Sequence, residues 1–179
     1  MHVKTQGLVL RETNYKEADK ILTVLTREGG KRTVKARGCR RKNSPLAASA
    51  QLLAWSDMTL FAYRDRLTLN EAEALELFWG VRADVEKLAL ASYFAEVTEA
   101  VAEEGRPDPA LLSLALNSLY ALDKLQRPLP LVKAAFELKL LCVAGYEPLL
   151  DACVVCGRAE PQEPRLDLAE GVLHCAASG

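Results

Sequence analysis

Short runs of apolar and β-branched residues, separated by turn signals, occupy the first 70 residues of the chain. The runs cover residues 2–11, 19–26, 32–37, 51–63 and 67–70. Gly29-Gly30 separates the second run from the third and is typical of a β-hairpin turn, so it favours strands on both sides. Four or five short strands at this spacing predict a small closed β-barrel, and the oligonucleotide-binding (OB) barrel fits a length of about 75 residues.

A helical pattern begins after Glu71, where Ala, Leu, Glu and Lys dominate and apolar residues recur at helical spacing. Asp108 followed by Pro109 is a favourable cap and first-turn pair, and Gly145 stands where helices commonly end. Helices are predicted over residues 75–105, 110–126 and 131–144. The aromatic residues of this antiparallel unit are expected in its core: Tyr93, Phe94, Tyr120 and Phe136.

Three of the five cysteines lie near the end of the sequence. Cys153, Cys156 and Gly157 form a Cys-x-x-Cys-Gly motif, one half of a zinc knuckle, whose thiolates can occupy adjacent corners of a tetrahedron. Cys175 lies at the distance of the second half, but Ser178, a poor zinc ligand, stands where a second Cys-x-x-Cys would be complete. The spacing predicts one structural zinc ion bound by Cys153, Cys156 and Cys175.

A tetrahedral zinc site needs a fourth ligand, and three explanations are possible for its identity or absence. His174 is one candidate, although its adjacency to Cys175 makes coordination by both side chains awkward; a residue absent from this chain is the second, and a degenerate site is the third. Reduced structural cysteines are the alternative to metal binding, and a redox role is disfavoured because the tail lacks a strand-to-helix setting. Cys142 is expected to pack within a helix, whereas cations beside Cys39 favour a lowered thiol pKa.

These parts predict a multi-domain α+β protein. An OB-fold barrel is expected in residues 1–79 and an α-helical domain in residues 80–150. Residues 151–179 are too few and too polar to form a core without a staple, so a zinc-finger-like module is expected there.

Positive charge is concentrated in residues 31–42, which contain seven cations and no acid although the whole chain has a net charge of −1. Residues 1–79 carry a net +5 and residues 80–179 a net −6. Such clustering is typical of polyanion-binding surfaces, because each cation placed on a phosphate releases a condensed counterion; a solvated loop is the alternative. On a barrel type that commonly binds nucleic acid, DNA binding without sequence preference is favoured. The candidate DNA-binding residues are Lys31, Arg32, Lys35, Arg37, Arg40, Arg41, Lys42, Arg64 and Arg66.

Aromatic residues of the barrel have two possible roles, stacking on bases or filling the interior. Tyr15 and Tyr63 are candidates for stacking, whereas we expect Trp55 and Phe61 in the core.

Several classes of protein are disfavoured. There is no glycine-rich phosphate loop, Ser/His/Asp set or pair of catalytic carboxylates, and the chain has only two histidines, so an enzyme is not expected. A catalytic zinc would require a base such as Glu160 or Glu163, which lack the His-x-Glu context of zinc deaminases. No apolar run reaches the roughly 18 residues of a membrane span, and the start lacks the apolar core of a secretion signal, so a cytoplasmic location is expected.

The order of these parts resembles the RecO family of bacterial DNA repair and recombination mediators. The resemblance rests on residues 7–11, 14–15, 17–22, 25–31, 36–38, 145–148 and 153–157. It implies an OB-fold domain, a helical domain and a zinc module. It also implies binding to single- and double-stranded DNA, annealing of complementary strands, and action with RecR to help RecA replace single-stranded DNA-binding protein.

Two departures from the family pattern stand out. The second Cys-x-x-Cys ends in Ser178, and the chain stops at Gly179 where family members continue with further helices, so a truncated chain is expected. The leading hypothesis is a non-enzymatic DNA-binding recombination mediator in the nucleoid. A protein-interaction adaptor whose DNA contact is incidental is the alternative.

Overall fold

The computed structural model describes residues 1–176. Contacts between Cα atoms divide the chain into two compact units, Met1–Glu137 and the part that begins at Leu138. None of the helices within residues 1–176 is both long and apolar enough to cross a membrane.

The first unit begins with a closed barrel of five strands, as predicted. They are β1 (His2–Tyr15), β2 (Asp19–Thr26), β3 (Gly30–Ala36), β4 (Trp55–Tyr63) and β5 (Arg66–Glu76). The order is β1-β2-β3-β5-β4, and pairing of β1 with β4 closes the barrel. Only the contact between β3 and β5 is parallel among these pairs. The sheet therefore has an OB-like arrangement.

Side-chain alternation divides β3 between the barrel interior and its surface. Val34 and Ala36 are fully buried, so the residues between and beside them, including Thr33 and Lys35, face outward. Cys39 is also buried in the barrel core, where desolvation raises the pKa of its thiol. The expected lowering of this pKa by nearby cations is wrong, because burial disfavours the thiolate more strongly.

Two strands are longer than their sequence patterns indicate. β1 continues through the polar residues 12–15, which were expected in a loop, because they pair with residues 19–22 of β2. β5 continues to Glu76, where a helix was expected from Leu75, because its residues pair with β4. Conversely, residues 51–54 precede β4 and are not part of it. Cross-strand pairing thus overrides local helix propensity.

Within residues 1–176, four helices occur where three were predicted: α1 (Trp79–Arg82), α2 (Val85–Val101), α3 (Pro109–Lys124) and α4 (Leu129–Val143). The helix predicted over residues 75–105 is interrupted before α2, where the carboxylate of Asp84 accepts the N–H groups of Glu86 and Lys87 and caps α2. Asp108 caps α3 in the predicted way by accepting the N–H of Leu111 at 2.9 Å.

Aromatic packing between α2 and α4 contributes to the core of the helical part, where α3 also buries several leucines. The rings of Phe94 and Phe136 stack with centroids 4.1 Å apart, and both side chains are almost fully buried, as expected. Tyr93 is half-buried. Tyr120 is 53% exposed, so its expected core position is wrong: it lies on the outer face of α3.

The second unit contains a three-stranded sheet. Its strands are β6 (Leu149–Cys153), β7 (Arg165–Asp167) and β8 (Val172–His174), in the order β6-β8-β7. β7 and β8 form an antiparallel hairpin, and β6 pairs with β8 in parallel.

Asp123 fastens α1 to α3, and its removal should destabilise the first unit. Its Oδ1 accepts the N–H of Val81 at 3.1 Å, and Lys124 Nζ lies 2.6 Å from Oδ2. Burial alone would raise the pKa of Asp123, but the hydrogen bonds from Lys124 and Val81 lower it below its usual value. We expect Asp123→Ala to cost about 1–2 kcal/mol in urea unfolding at neutral pH, the usual range for a lost capping carboxylate.

The pH dependence of this effect has a defined sign. Because the folded-state pKa is lowered, the stabilisation is present above the unfolded-state pKa of about 3.9 and is lost as pH falls through the folded-state value. The stabilities of wild type and Asp123→Ala should therefore converge in acid. Glu96→Gln, which changes an exposed carboxylate on α2, is the control. An equal loss in both variants would contradict the capping role.

Candidate nucleic-acid groove and metal centre

A groove of about 970 Å³ lies on the outer surface of the barrel, along β3, β4 and β5. Aromatic and cationic side chains share its lining: Tyr15, Phe61 and Tyr63, and Lys35, Arg37 and Arg66. The three aromatic side chains are 39–60% exposed. Exposed rings beside cations are the combination that single-strand binders use, because bases stack on the rings while phosphates contact the cations.

Strand geometry explains why these side chains meet. Phe61 and Tyr63 are two residues apart on β4 and therefore point the same way, and Lys35 projects outward from β3. Phe61 is 39% exposed and contacts the ring of His2 at a centroid distance of 5.3 Å, so its expected core position is wrong. Trp55 is 9% exposed and fills the core as predicted.

Lys35 has a defined position at the edge of the groove. Its Nζ lies 3.1 Å from Asp19 Oδ2 and 4.8 Å from the centroid of the Tyr15 ring. Asp19 Oδ1 accepts the N–H of Gly38 at 2.9 Å. The Gly38 hydrogen bond, followed by that from Lys35, holds the pKa of Asp19 below its usual value, so the carboxylate is ionised at neutral pH.

The basic loop, residues 37–45, is held against the turn between β1 and β2. The N–H of Arg40 donates to the carbonyl of Ala18 at 3.0 Å, and its guanidinium donates to the Lys16 and Glu17 carbonyls. Arg41 and Lys42 are exposed. The loop thus presents cations next to the groove on a fixed backbone.

Lys31, Arg32 and Arg64 lie apart from the groove lining. Lys31 Nζ donates to the carbonyl of Glu99 at 2.9 Å, which places it against the end of α2. Arg32 and Arg64 line a second cavity of about 600 Å³ at one end of the barrel, together with three acidic residues, Glu28, Asp65 and Glu104. The nine candidate cations therefore form three groups: Lys35, Arg37 and Arg66 in the groove lining, Arg40, Arg41 and Lys42 further along the loop, and Lys31, Arg32 and Arg64 outside the groove lining.

Asp19, the ion-pair partner of the groove residue Lys35, was missed by the sequence reasoning. A signal for it existed in the hairpin: the Gly29-Gly30 turn sets a register in which Lys20 faces Ala36, so Asp19 lies close to Lys35 and Gly38. An acidic residue that this register places opposite the basic end of β3 is a candidate ion-pair partner for the cations there.

The second unit brings three cysteines together. The Sγ atoms of Cys153, Cys156 and Cys175 all lie within 4.8 Å of one another, and those of Cys156 and Cys175 are 3.7 Å apart. Thiolates at adjacent corners of a tetrahedron with metal–sulfur bonds of about 2.3 Å are about 3.8 Å apart, so the spacing fits a metal ion.

Backbone geometry supports this arrangement. The N–H of Cys175 donates to Cys153 Sγ at 3.3 Å, and the N–H of Gly157 donates to the carbonyl of Cys153 at 2.8 Å. Gly157 has a φ of 72°, which only glycine adopts without strain, and this allows the chain to turn back after Cys156. The three cysteines can therefore hold a metal ion.

His174 belongs to a different group of side chains. Its ring lies with the carboxylates of Asp167 and Glu170, and the ligand atoms of these three residues are within 4.8 Å of one another. Adjacent residues of an extended segment point to opposite faces, so His174 and Cys175 diverge. Ser178 lies outside the described residues.

A closed OB-like barrel with an aromatic and cationic groove, followed by helices and a three-cysteine module, defines an OB-barrel protein with a candidate metal centre. Family models agree: "Recombination protein O N terminal" matches residues 1–78, and "Recombination protein O C terminal" matches residues 82–178. The chain belongs to the RecO family.

Curated relatives with the name DNA repair protein RecO match most of the chain. The protein from Alkaliphilus metalliredigens is 38% identical over 175 residues, 98% of this chain and 71% of the relative. Those from Acetivibrio thermocellus and Symbiobacterium thermophilum are each 40% identical over 87% and 88% of this chain. The chain spans 62% of the length of each of these two relatives. It is thus related to DNA repair proteins along almost all of its length.

Proposed function

We propose that this protein is a DNA-binding recombination mediator whose barrel groove holds single-stranded DNA. The observation that carries the proposal is the groove itself, where three exposed aromatic rings and three cations share one surface. Stacking requires a base face, which a duplex does not offer, so the groove favours unpaired strands. Phosphate contacts without base-edge contacts give affinity without sequence preference.

The basic loop extends the binding surface beyond the groove. Arg40, Arg41 and Lys42 lie on its exposed side and suit the phosphates of a second strand or of a duplex. Cations that neutralise two strands at once reduce their repulsion, which favours annealing of complementary strands. This mode of action requires no catalytic residue.

Membership of the RecO family supports the wider role. We propose that the protein acts with RecR, in the cytoplasm and at the nucleoid, to help RecA replace single-stranded DNA-binding protein.

The three cysteines fit zinc better than magnesium or calcium. Thiolate ligands at tetrahedral spacing are typical of structural zinc sites, whereas magnesium and calcium select oxygen ligands. Bound there, zinc would cross-link β6 to the segment after β8 and stabilise a module too small for a core of its own.

Salt dependence provides the direct test of the proposal. If the three groove cations and the three loop cations each contact a phosphate, log affinity for oligothymidylate should fall against log salt with a slope of about −4, at about −0.7 per contact. Fluorescence anisotropy of a labelled oligonucleotide at several salt concentrations measures it. Absence of binding, or a slope near zero, would favour the adaptor alternative and overturn the proposal.

A further inference from the structure

Asp19 holds a carboxylate against Lys35, one of the three cations that line the groove. Its Oδ2 lies 3.1 Å from Lys35 Nζ, and only 18% of the Asp19 side chain is exposed. Lys35 in turn lies over the Tyr15 ring, and Lys16 Nζ approaches the same ring at 5.6 Å. In the free protein, one groove cation is therefore paired with a carboxylate, and it also lies over the ring of Tyr15.

We propose that Asp19 is a specificity-determining residue of the groove, because its carboxylate competes with phosphate for Lys35. A single phosphate does not displace Asp19 from Lys35, whereas a strand with several phosphates does. This inference rests on the proposed DNA-binding function.

The selectivity follows from a comparison of exchanges. When one phosphate replaces the Asp19 carboxylate on Lys35, one partly exposed ion pair is exchanged for another. The binding free energy that a mononucleotide gains from this exchange is therefore small. A strand also reaches Arg37 and Arg66, which form no ion pair within residues 1–176. Their contacts release counterions without displacing a carboxylate, so only a polymer overcomes the competition. Movement of Lys35 towards a phosphate also removes its contact with the Tyr15 ring, which leaves that face of the ring to a base.

Asp19 has a second contact that the test must preserve. Its Oδ1 accepts the N–H of Gly38 and fixes the start of the basic loop. An asparagine retains an oxygen for this hydrogen bond and loses the charge that holds Lys35. Asp19→Asn therefore separates competition from loop positioning, and protection of the Gly38 amide in hydrogen exchange verifies that the loop is intact.

The experiment measures binding of oligothymidylate of about 12 nucleotides, within the known range of OB site sizes. Asp19→Asn should bind about threefold more tightly than wild type, within the range expected for the loss of one partly exposed competing ion pair. Its salt slope should steepen by at most about 0.7, the contribution of one contact. Competition by thymidine 5′-monophosphate should become more effective, because its phosphate gains access to Lys35.

Glu17→Gln is the matched control, since it removes one exposed carboxylate from the same turn. Its effect should stay below about twofold, because salt screens a charge that makes no direct contact. In a Lys35→Gln background, Asp19→Asn should change nothing. Equal effects of Asp19→Asn and Glu17→Gln on affinity, or a gain in affinity that persists in the Lys35→Gln background, would overturn this inference but not the proposed function. Failure of wild type to bind any oligonucleotide would instead overturn the proposed function and the inference with it.

Discussion

Replacing Cys153 by serine should weaken zinc binding by more than about 100-fold, since even changes outside the ligand set of a metal site cost about 10–100-fold. Cys153 is 1% exposed, and its Sγ accepts the N–H of Cys175. A serine hydroxyl is a shorter and much poorer zinc ligand, so two thiolates would remain to hold the ion. Zinc content after dialysis against a competing chelator, together with the cobalt thiolate absorption, measures the loss.

Cys142→Ser is the control for this substitution. Cys142 is half-buried on α4 and lies outside the three-cysteine group, so this variant should retain zinc at the wild-type level. Cys156→Ser adds a second test, because Cys156 is exposed and its substitution disturbs packing less. Retention of full zinc affinity by both Cys153→Ser and Cys156→Ser would show that these thiolates are not ligands.

The metal prediction also separates the two units. The groove residues belong to the first unit, residues 1–137, and the cysteines to the second. We therefore expect Cys153→Ser to retain most of its oligothymidylate affinity while the second unit unfolds, because structural zinc supplies folding free energy to such modules. Parallel loss of DNA binding would indicate that the groove depends on the module.

The barrel was predictable because its signals are local. Gly29-Gly30 and the runs on either side define the β2–β3 hairpin, and its register follows from the turn. The end of β5 was not predictable, because residues 71–76 have the composition of a helix and become a strand only by pairing with β4. The helix cap at Asp108 was predictable because Asp108 and Leu111, whose N–H it accepts, lie within one helical turn of each other in sequence.

Of the candidate site, the sequence indicates which cations and aromatic residues to consider, but not how they are arranged on the surface. The seven cations of residues 31–42 are close in sequence but lie on different surfaces. Side chains alternate between the two faces of β3, and the residues beyond the strand belong to the basic loop. Lys31 contacts the end of α2, a partner 68 residues away in sequence, and no local pattern indicates such a contact. Phe61 was assigned to the core because an apolar residue on a strand usually points inward, yet its register on β4 places it at the groove.

Neutralising the groove cations should lower single-strand affinity about 100-fold. In the triple variant Lys35→Gln, Arg37→Gln and Arg66→Gln, each lost phosphate contact costs about 1 kcal/mol, the typical net value of one hydrogen bond. The salt slope should become shallower by about 2, at about 0.7 per contact. Anisotropy titrations with oligothymidylate at several salt concentrations measure both quantities.

The barrel end offers a control with the same change in net charge. Lys31→Gln, Arg32→Gln and Arg106→Gln remove three cations from the same unit, but Lys31 already donates to the Glu99 carbonyl, Arg32 lies beside acidic residues and Arg106 pairs with Glu103. This variant should keep the wild-type slope to within about one contact. Equal losses in the two triple variants would show that net charge, rather than the groove, governs binding.

Tyr63 distinguishes stacking from charge in the same titrations. It is 60% exposed on the groove and contacts Arg64 at 5.4 Å, so its ring is available to a base without rearrangement of the core. Tyr63→Ala should weaken binding by about 1–3 kcal/mol, the usual value for one base–aromatic stack, and leave the salt slope unchanged. An affinity that depends on both the ring and the three cations, with only the cations altering the slope, is the signature of one strand held by stacked bases and paired phosphates in a single groove.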